Sequence, residues 1–117
     1  MSWIDRELNP KSTVDRSSKQ EKKVARHLSG RRTVNSGATF AENDVVSKTA
    51  EIECKITNKS RYTISVKEWN KLIGRTDHNK LPAMVIDLEE GGLSLAVISY
   101  EDFLKFVKVE DKLKNTK

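Results

Sequence analysis

The sequence predicts an α/β sandwich, a mixed sheet flanked by helices, and three observations carry that prediction. Residues 50 to 56, Ala-Glu-Ile-Glu-Cys-Lys-Ile, alternate apolar and charged side chains, the period of a strand with one buried face. Three segments open on a serine followed three residues later by an acid: Ser18 to Glu21, Ser65 to Glu68 and Ser99 to Asp102. That is the capping-box signature of a helix start. Between the last two helices, Ala83 to Leu88 and Leu93 to Ile98 flank the turn Glu90-Gly91-Gly92, which reads as a hairpin.

Taken in order, residues 1 to 16 are polar and aperiodic, an N-terminal arm with Trp3 and Ile4 as anchors on a partner or on DNA. A domain over residues 17 to 109 follows. Its first helix is expected from Ser18 to Leu28, stopped by Gly30, with Val24, Ala25 and Leu28 on one stripe. Glu21 shares that stripe, so it either closes the capping box or points toward the fold. Residues 31 to 42 read as a loop around Asn35-Ser36-Gly37. A tight hairpin at Lys48-Thr49 leads into the strand from Ala50. Arg61 to Ser65 reads as extended, and Ser65 opens a helix to about Ile73 that packs through Val66, Trp69, Leu72 and Ile73. A polar loop with Arg75, His78 and Lys80 precedes Pro82, which starts the next strand. The final helix carries Phe103, Leu104, Phe106 and Val107, and residues 110 to 117 form a charged tail.

At 117 residues the chain is expected to hold one core and to gain from dimerisation. Its net charge of +5 is unevenly placed: residues 1 to 35 hold nine Lys/Arg and four Asp/Glu, whereas residues 36 to 117 hold thirteen of each. Lys19, Lys22, Lys23, Arg26, Arg31 and Arg32 could therefore track a phosphate backbone, or simply form a solvated basic face. A lone cysteine, Cys54, on the apolar face of its strand reads as a buried structural thiol. No apolar run reaches the length of a membrane span and no signal-peptide core opens the chain, so a cytoplasmic protein is expected.

The chemistry concentrates between Asn43 and Lys55. Asp44 heads an apolar run, and Glu51, Glu53 and Lys55 share one face of the following strand. Carboxylates and an amine so placed can hold a hard divalent cation and set a positive group beside it, the parts phosphodiester hydrolysis needs. An ordinary solvated strand face would show the same alternation. Other chemistries have less support. His27, Cys54 and His78 are isolated, without zinc spacing, and no glycine-rich loop suggests a nucleotide cofactor.

On these residues the chain resembles the PD-(D/E)XK nucleases and, within them, the small archaeal-type Holliday junction resolvases that also occur in phages. Asp44 matches the motif aspartate, and Glu53 with Lys55 the (D/E)XK pair. The early helix with Glu21, the loop Asn35-Ser36-Gly37-Ala38, Ser65 to Leu72 and Pro82 to Ile86 extend the likeness over about residues 17 to 107. Asn43 stands where such nucleases often have proline, and the interval from Asp44 to Glu53 is short.

The resemblance implies a restriction-endonuclease-like core and a Mg²⁺-dependent endonuclease, with Mn²⁺ able to substitute. Asp44 and Glu53 would bind the ion with the backbone carbonyl of Cys54, and Glu21 would reach it through a water. Lys55 would orient the attacking water or stabilise the transition state, and Ser36 would touch the scissile region. Expected partners are branched DNA, four-way junctions above all, and a second copy of the chain, as paired nicks in a nearly two-fold junction require. Recombination and repair are the implied setting, in the host cytoplasm for a phage protein. Phe103 and Phe106 either cover the sheet or form a two-fold patch. Two alternatives stay open: a nuclease of the same core acting on other branched or duplex DNA, and a non-catalytic DNA-binding protein on that fold.

Overall fold

A computed structural model describes residues 13 to 33 and 42 to 116. Its elements are α1 (Thr13–His27), β1 (Arg31–Arg32), β2 (Val45–Val46), β3 (Ala50–Thr57), α2 (Val66–Arg75), β4 (Leu81–Leu88), β5 (Leu93–Val97) and α3 (Tyr100–Asn115). The five strands lie side by side in chain order. β1, β2 and β3 are antiparallel neighbours, β3 and β4 are parallel, and β5 returns antiparallel to β4. The protein is thus α/β with a mixed sheet flanked by helices. A parallel pair needs a crossover, and α2 supplies it.

The two faces of the sheet divide the core in two. Ala50 and Ile52 join Val24 and Ala25 of α1, Val45 and Ala83 in one buried cluster, with Cys54 and Val85 packed against it. On the opposite face Leu72 of α2 packs on Met84 and Ile86, with Tyr62 and Trp69 alongside. Leu72, Met84 and Val45 are fully excluded from solvent.

Local chemistry explains most element ends. Ser65 and Ser99 are N-caps whose side chains accept from Glu68 N and Asp102 N, as their capping boxes predict. The two-residue turn at Lys48 and Thr49 closes through Ser47 N to Ala50 O at 2.8 Å, and Ser47 Oγ accepts from Ala50 N at 3.0 Å. β4 begins at Leu81, earlier than expected, with Pro82 inside it. Leu81 N donates toward β3, to Thr49 O, so the next residue faces the β5 side, where pairing starts only at Met84. A residue without an N–H breaks no ladder bond there.

Four expectations need correction, the first being the packing of α2, where Trp69 and Leu72 face the core but Val66 and Ile73 stand exposed. α1 starts at Thr13, so Ser18 lies inside the helix and its capping box does not form; residues 13 to 16, read with the arm, are helical. Arg31 and Arg32, read as loop, form a short strand on β2. The final helix runs on to Asn115, through most of the segment read as a tail. Helix α1 ends with Ser29 in a left-handed conformation and Gly30 pressed on β2: a Cβ there would sit 2.6 Å from Val46 O. Among the described residues no helix is long and apolar enough to cross a membrane.

Candidate active site

β3 sends its even-numbered residues to the α1 side, so Glu51, Glu53 and Lys55 emerge on the α2 side. Asp44 comes from the residue just before β2, where Val45 pairs with Ile52. That register sets Asp44 beside the next stretch of β3, and Cys54 N donates to Asp44 Oδ2 at 2.8 Å. A strand residue directs its N–H and C=O to the same neighbour, so the Cys54 carbonyl faces the same edge as Asp44.

The carboxyls of Asp44 and Glu53 meet. Burial foremost, then a hydrogen bond to Asp44 and the Asp44 charge, push Glu53 up to about 7, against the opposing pull of Lys55 and Arg75. Glu21, on the middle of α1, is also raised, by burial and by Asp44, while Arg32 works the other way. Glu21 does not cap α1. Its Oε1 instead accepts from Arg32 Nε at 3.3 Å and Nη2 at 3.2 Å. The Asp44 charge therefore acts on both Glu21 and Glu53 at the β2 edge of β3.

A buried polar clamp sets the position of Asp44. Asn43 is fully buried and its Nδ2 donates to Glu51 Oε1 at 3.1 Å and to Thr76 Oγ1 at 3.0 Å. Glu51 Oε2 accepts from Asp77 N at 3.0 Å. Thr33 Oγ1 holds the Asn43 carbonyl at 2.6 Å, and Thr33 N donates to Asp44 O at 3.0 Å. The position occupied by Asn43 thus ties β2 to the C-terminal end of α2. Glu51, which shares the charged face of β3 with Glu53 and was open to either a surface or a supporting role, is 7% exposed and belongs to this clamp.

Lys55 Nζ lies 3.2 Å from Glu68 Oε1, and the same oxygen accepts from Tyr62 OH at 2.5 Å. Behind the strand Gln20, 3% exposed on α1, donates to the carbonyls of Lys55 at 2.8 Å and Val85 at 3.3 Å. Cys54 is half-buried against the α1-side core, and burial drives its thiol far above the usual range, with the neighbouring acids adding to the effect. A nucleophilic role for that sulfur is disfavoured.

No protein-family model, curated protein or solved structure matches the chain. The site is therefore judged on its own chemistry.

Among the described residues no group of three or more His, Cys, Asp or Glu side chains is arranged to hold a metal ion. The donor set that fits one is the Asp44 and Glu53 pair with the Cys54 carbonyl. Mg²⁺ is commonly held by one or two carboxylates, with waters and substrate phosphates completing its shell, so this set suffices. A raised carboxyl beside a second carboxylate also marks a place where a cation relieves like-charge repulsion.

The basic residues fall in two places. Lys19, Lys22, Lys23 and Arg26 are exposed on α1, with Lys19 and Lys23 on the flank that borders the sheet, and Arg31 pairs with Glu42 at 3.5 Å. Arg32 is the one of this set that binds a site acid. Arg75, unremarked in the sequence as a site residue, stands closer to the chemistry. It acts on Glu53 and lines, with Arg31, Glu51, His78 and Lys80, a depression of about 560 Å³. Ser36 and its loop lie outside the described residues.

Gln20, Tyr62, Glu68 and Arg75 are the site neighbours that periodicity and motifs did not single out as such, and Asn43 stood out only as the residue before the motif aspartate. Glu68 left a signal as the acid of a capping box, and that signal pointed to a helix start rather than to Lys55.

Proposed function

We propose that this chain is a divalent-cation-dependent endonuclease with a PD-(D/E)XK core, which resolves four-way DNA junctions as a homodimer. The observation that carries the reading is the contact between Asp44 and Glu53 with Lys55 on the same face of β3. Asp44 set against the half-buried Glu53 raises the proton affinity of Glu53, an arrangement with a cost unless a cation uses it.

Asp44 and Glu53 would hold Mg²⁺, or Mn²⁺ in its place, with the Cys54 carbonyl on the same edge. A divalent ion there supplies an acidified water and neutralises charge on the scissile phosphate. The chain's own groups do the rest. Cys54 N–H orients Asp44, Arg32 orients Glu21 toward the acid pair, and Lys55 presents an ammonium where the attacking water or the developing phosphate charge lies. Arg31, Arg75 and Lys80 offer positive charge to the flanking backbone from the adjoining depression, and the exposed residues of α1 offer a longer basic track.

The dimer part of the reading is supported by α3. None of its residues is buried, and Tyr100, Phe103, Phe106, Val109 and Leu113 are all more than half exposed. Leu93 and Leu95 on the edge strand β5 are exposed as well. Apolar surface concentrated at one end of a small domain marks an interface, and a second copy is the occupant that paired nicks require.

The test is isothermal titration with Mg²⁺ and Mn²⁺ alongside cleavage of labelled DNA, for the wild type, Asp44→Asn and Glu53→Gln. Loss of both metal binding and cleavage in folded variants supports the reading. Unchanged cleavage in either variant removes it.

A further inference from the structure

Lys55 stands on β3 at the end of a flexible four-carbon stem, yet its ammonium has a fixed address. Glu68 Oε1, on the first turn of α2, lies 3.2 Å away, and the two side chains are only 29% and 25% exposed. Tyr62 OH donates to that same oxygen. Tyr62 is in turn packed with Trp69 against the buried Leu72, Met84 and Ile86, so the phenol is anchored in the core of the α2 face. The backbone under Glu68 is also set, because Glu68 N donates to the cap Ser65 Oγ at 3.0 Å. A hydrogen bond from the Ser65 backbone adds to those from Tyr62 and Lys55, and together they hold the Glu68 carboxyl below its ordinary range, the Tyr62 bond contributing most. A surface ion pair has none of this support and is worth little. Here one carboxylate is gripped on three sides and offers one oxygen to one lysine.

We propose that Glu68, buttressed by Tyr62, is the positioning residue for Lys55 in DNA cleavage. The proposal deepens the nuclease reading and rests on it. A lysine used as a point charge loses rotamer freedom when it is brought to the reacting phosphate, and a carboxylate already fixed in place removes much of that loss before substrate arrives. Glu68 comes from the crossover helix and Lys55 from the catalytic strand, so the contact also registers α2 against β3. Glu68 acts through Lys55 and need not touch DNA.

Cleavage kinetics of the full chain in Mg²⁺ test the proposal with Glu68→Gln, Tyr62→Phe, Lys55→Ala and the double variant Glu68→Gln with Lys55→Ala. Glu68→Gln should lower kcat by roughly 10- to 100-fold, the range found when a partner orienting a functional group is removed, with KM and DNA affinity unchanged. Tyr62→Phe, which keeps the carboxylate and most of the packing, should give a smaller loss of the same kind. Against a Lys55→Ala background the Glu68 substitution should add less than about twofold, because the group it positions is gone. A Glu68→Gln enzyme with wild-type kcat, or an equal loss in both backgrounds, overturns the proposal and leaves the nuclease reading standing. A wild type that cleaves no DNA removes the nuclease reading itself and the proposal with it. Thermal melting of each variant separates these results from unfolding, and Tyr62→Phe carries the test if Glu68→Gln does not fold.

Discussion

The N–H of Cys54 donates to Asp44 Oδ2 across 2.8 Å, and this bond joins the two halves of the site. It fixes an acid on the segment before β2 to the strand that bears Glu53 and Lys55. The hairpin between them is tight, so Asp44 cannot move away from β3 without breaking both the bond and the β2 pairing.

The acid pair should make stability and, on the proposed reading, metal binding depend on pH. Glu53 titrates near 7 in the folded protein against an ordinary value of 4.5. The folded state therefore holds more protons than the unfolded one between those values, and stability of the metal-free protein falls as pH rises from about 4.5 through 7. Glu21, also raised, contributes with the same sign, whereas Glu68, lowered, acts only below this window. A metal ion held as proposed would have to displace the Glu53 proton, so affinity should climb up to about pH 7 and then level. Melting temperatures in chelator and Mg²⁺ titrations from pH 5 to 8 check both trends, and Glu53→Gln should flatten the stability trend.

Asn43→Ala should destabilise the fold by roughly 1–3 kcal/mol, because it strips a donor from the buried Glu51 and cuts the tie to Thr76 Oγ1, which keeps only its bond to the Leu72 carbonyl. Cleavage should fall with it as Asp44 loses its anchor. Urea unfolding monitored through Trp69 measures the first effect.

Gly30→Ala brings a methyl to 2.6 Å from the Val46 carbonyl. The obstacle is backbone, so β2 must shift, and a loss of about 1–3 kcal/mol is expected. Gly74→Ala is the control, since its Cβ would meet nothing within 4 Å. Chemical denaturation of the pair should show a clear loss only at position 30.

Replacing Phe103 and Phe106 with glutamate should convert a dimer to a monomer in analytical ultracentrifugation. Their side chains are 51% and 55% exposed and add nothing to the buried core of the single chain, so the monomer's melting midpoint should move little apart from the dimer's own contribution.

Much of this architecture was legible because it depends on short-range patterns. The alternation from Ala50 to Ile56 set the faces of β3, and Ser65 and Ser99 marked helix starts that form as read. Ser18 misled, because Ser-x-x-Glu has the same spacing inside a helix as at its start, and the polar residues from Thr13 onward gave no apolar period to reveal the earlier turn. The exposed apolar face of α3 was left open in the sequence, since period alone does not tell a sheet-covering face from a patch for a partner. The supports of the site were not legible at all. Gln20 reaches Lys55 and Val85 across separations of 35 and 65 residues, and Asn43 meets Thr76 across 33. Contacts of that range arise from the fold, and no local pattern encodes them.

The most direct measurement places the purified protein on a labelled four-way junction and on a linear duplex of matching sequence, with Mg²⁺ and with chelator, beside Asp44→Asn and Glu53→Gln. Paired nicks confined to the junction, present only with metal and reduced by more than roughly 100-fold in both variants, are the result expected when metal ligands are removed. Equal cutting of both substrates would contradict junction resolution, and junction binding without cleavage by the wild type would contradict catalysis at Asp44 and Glu53.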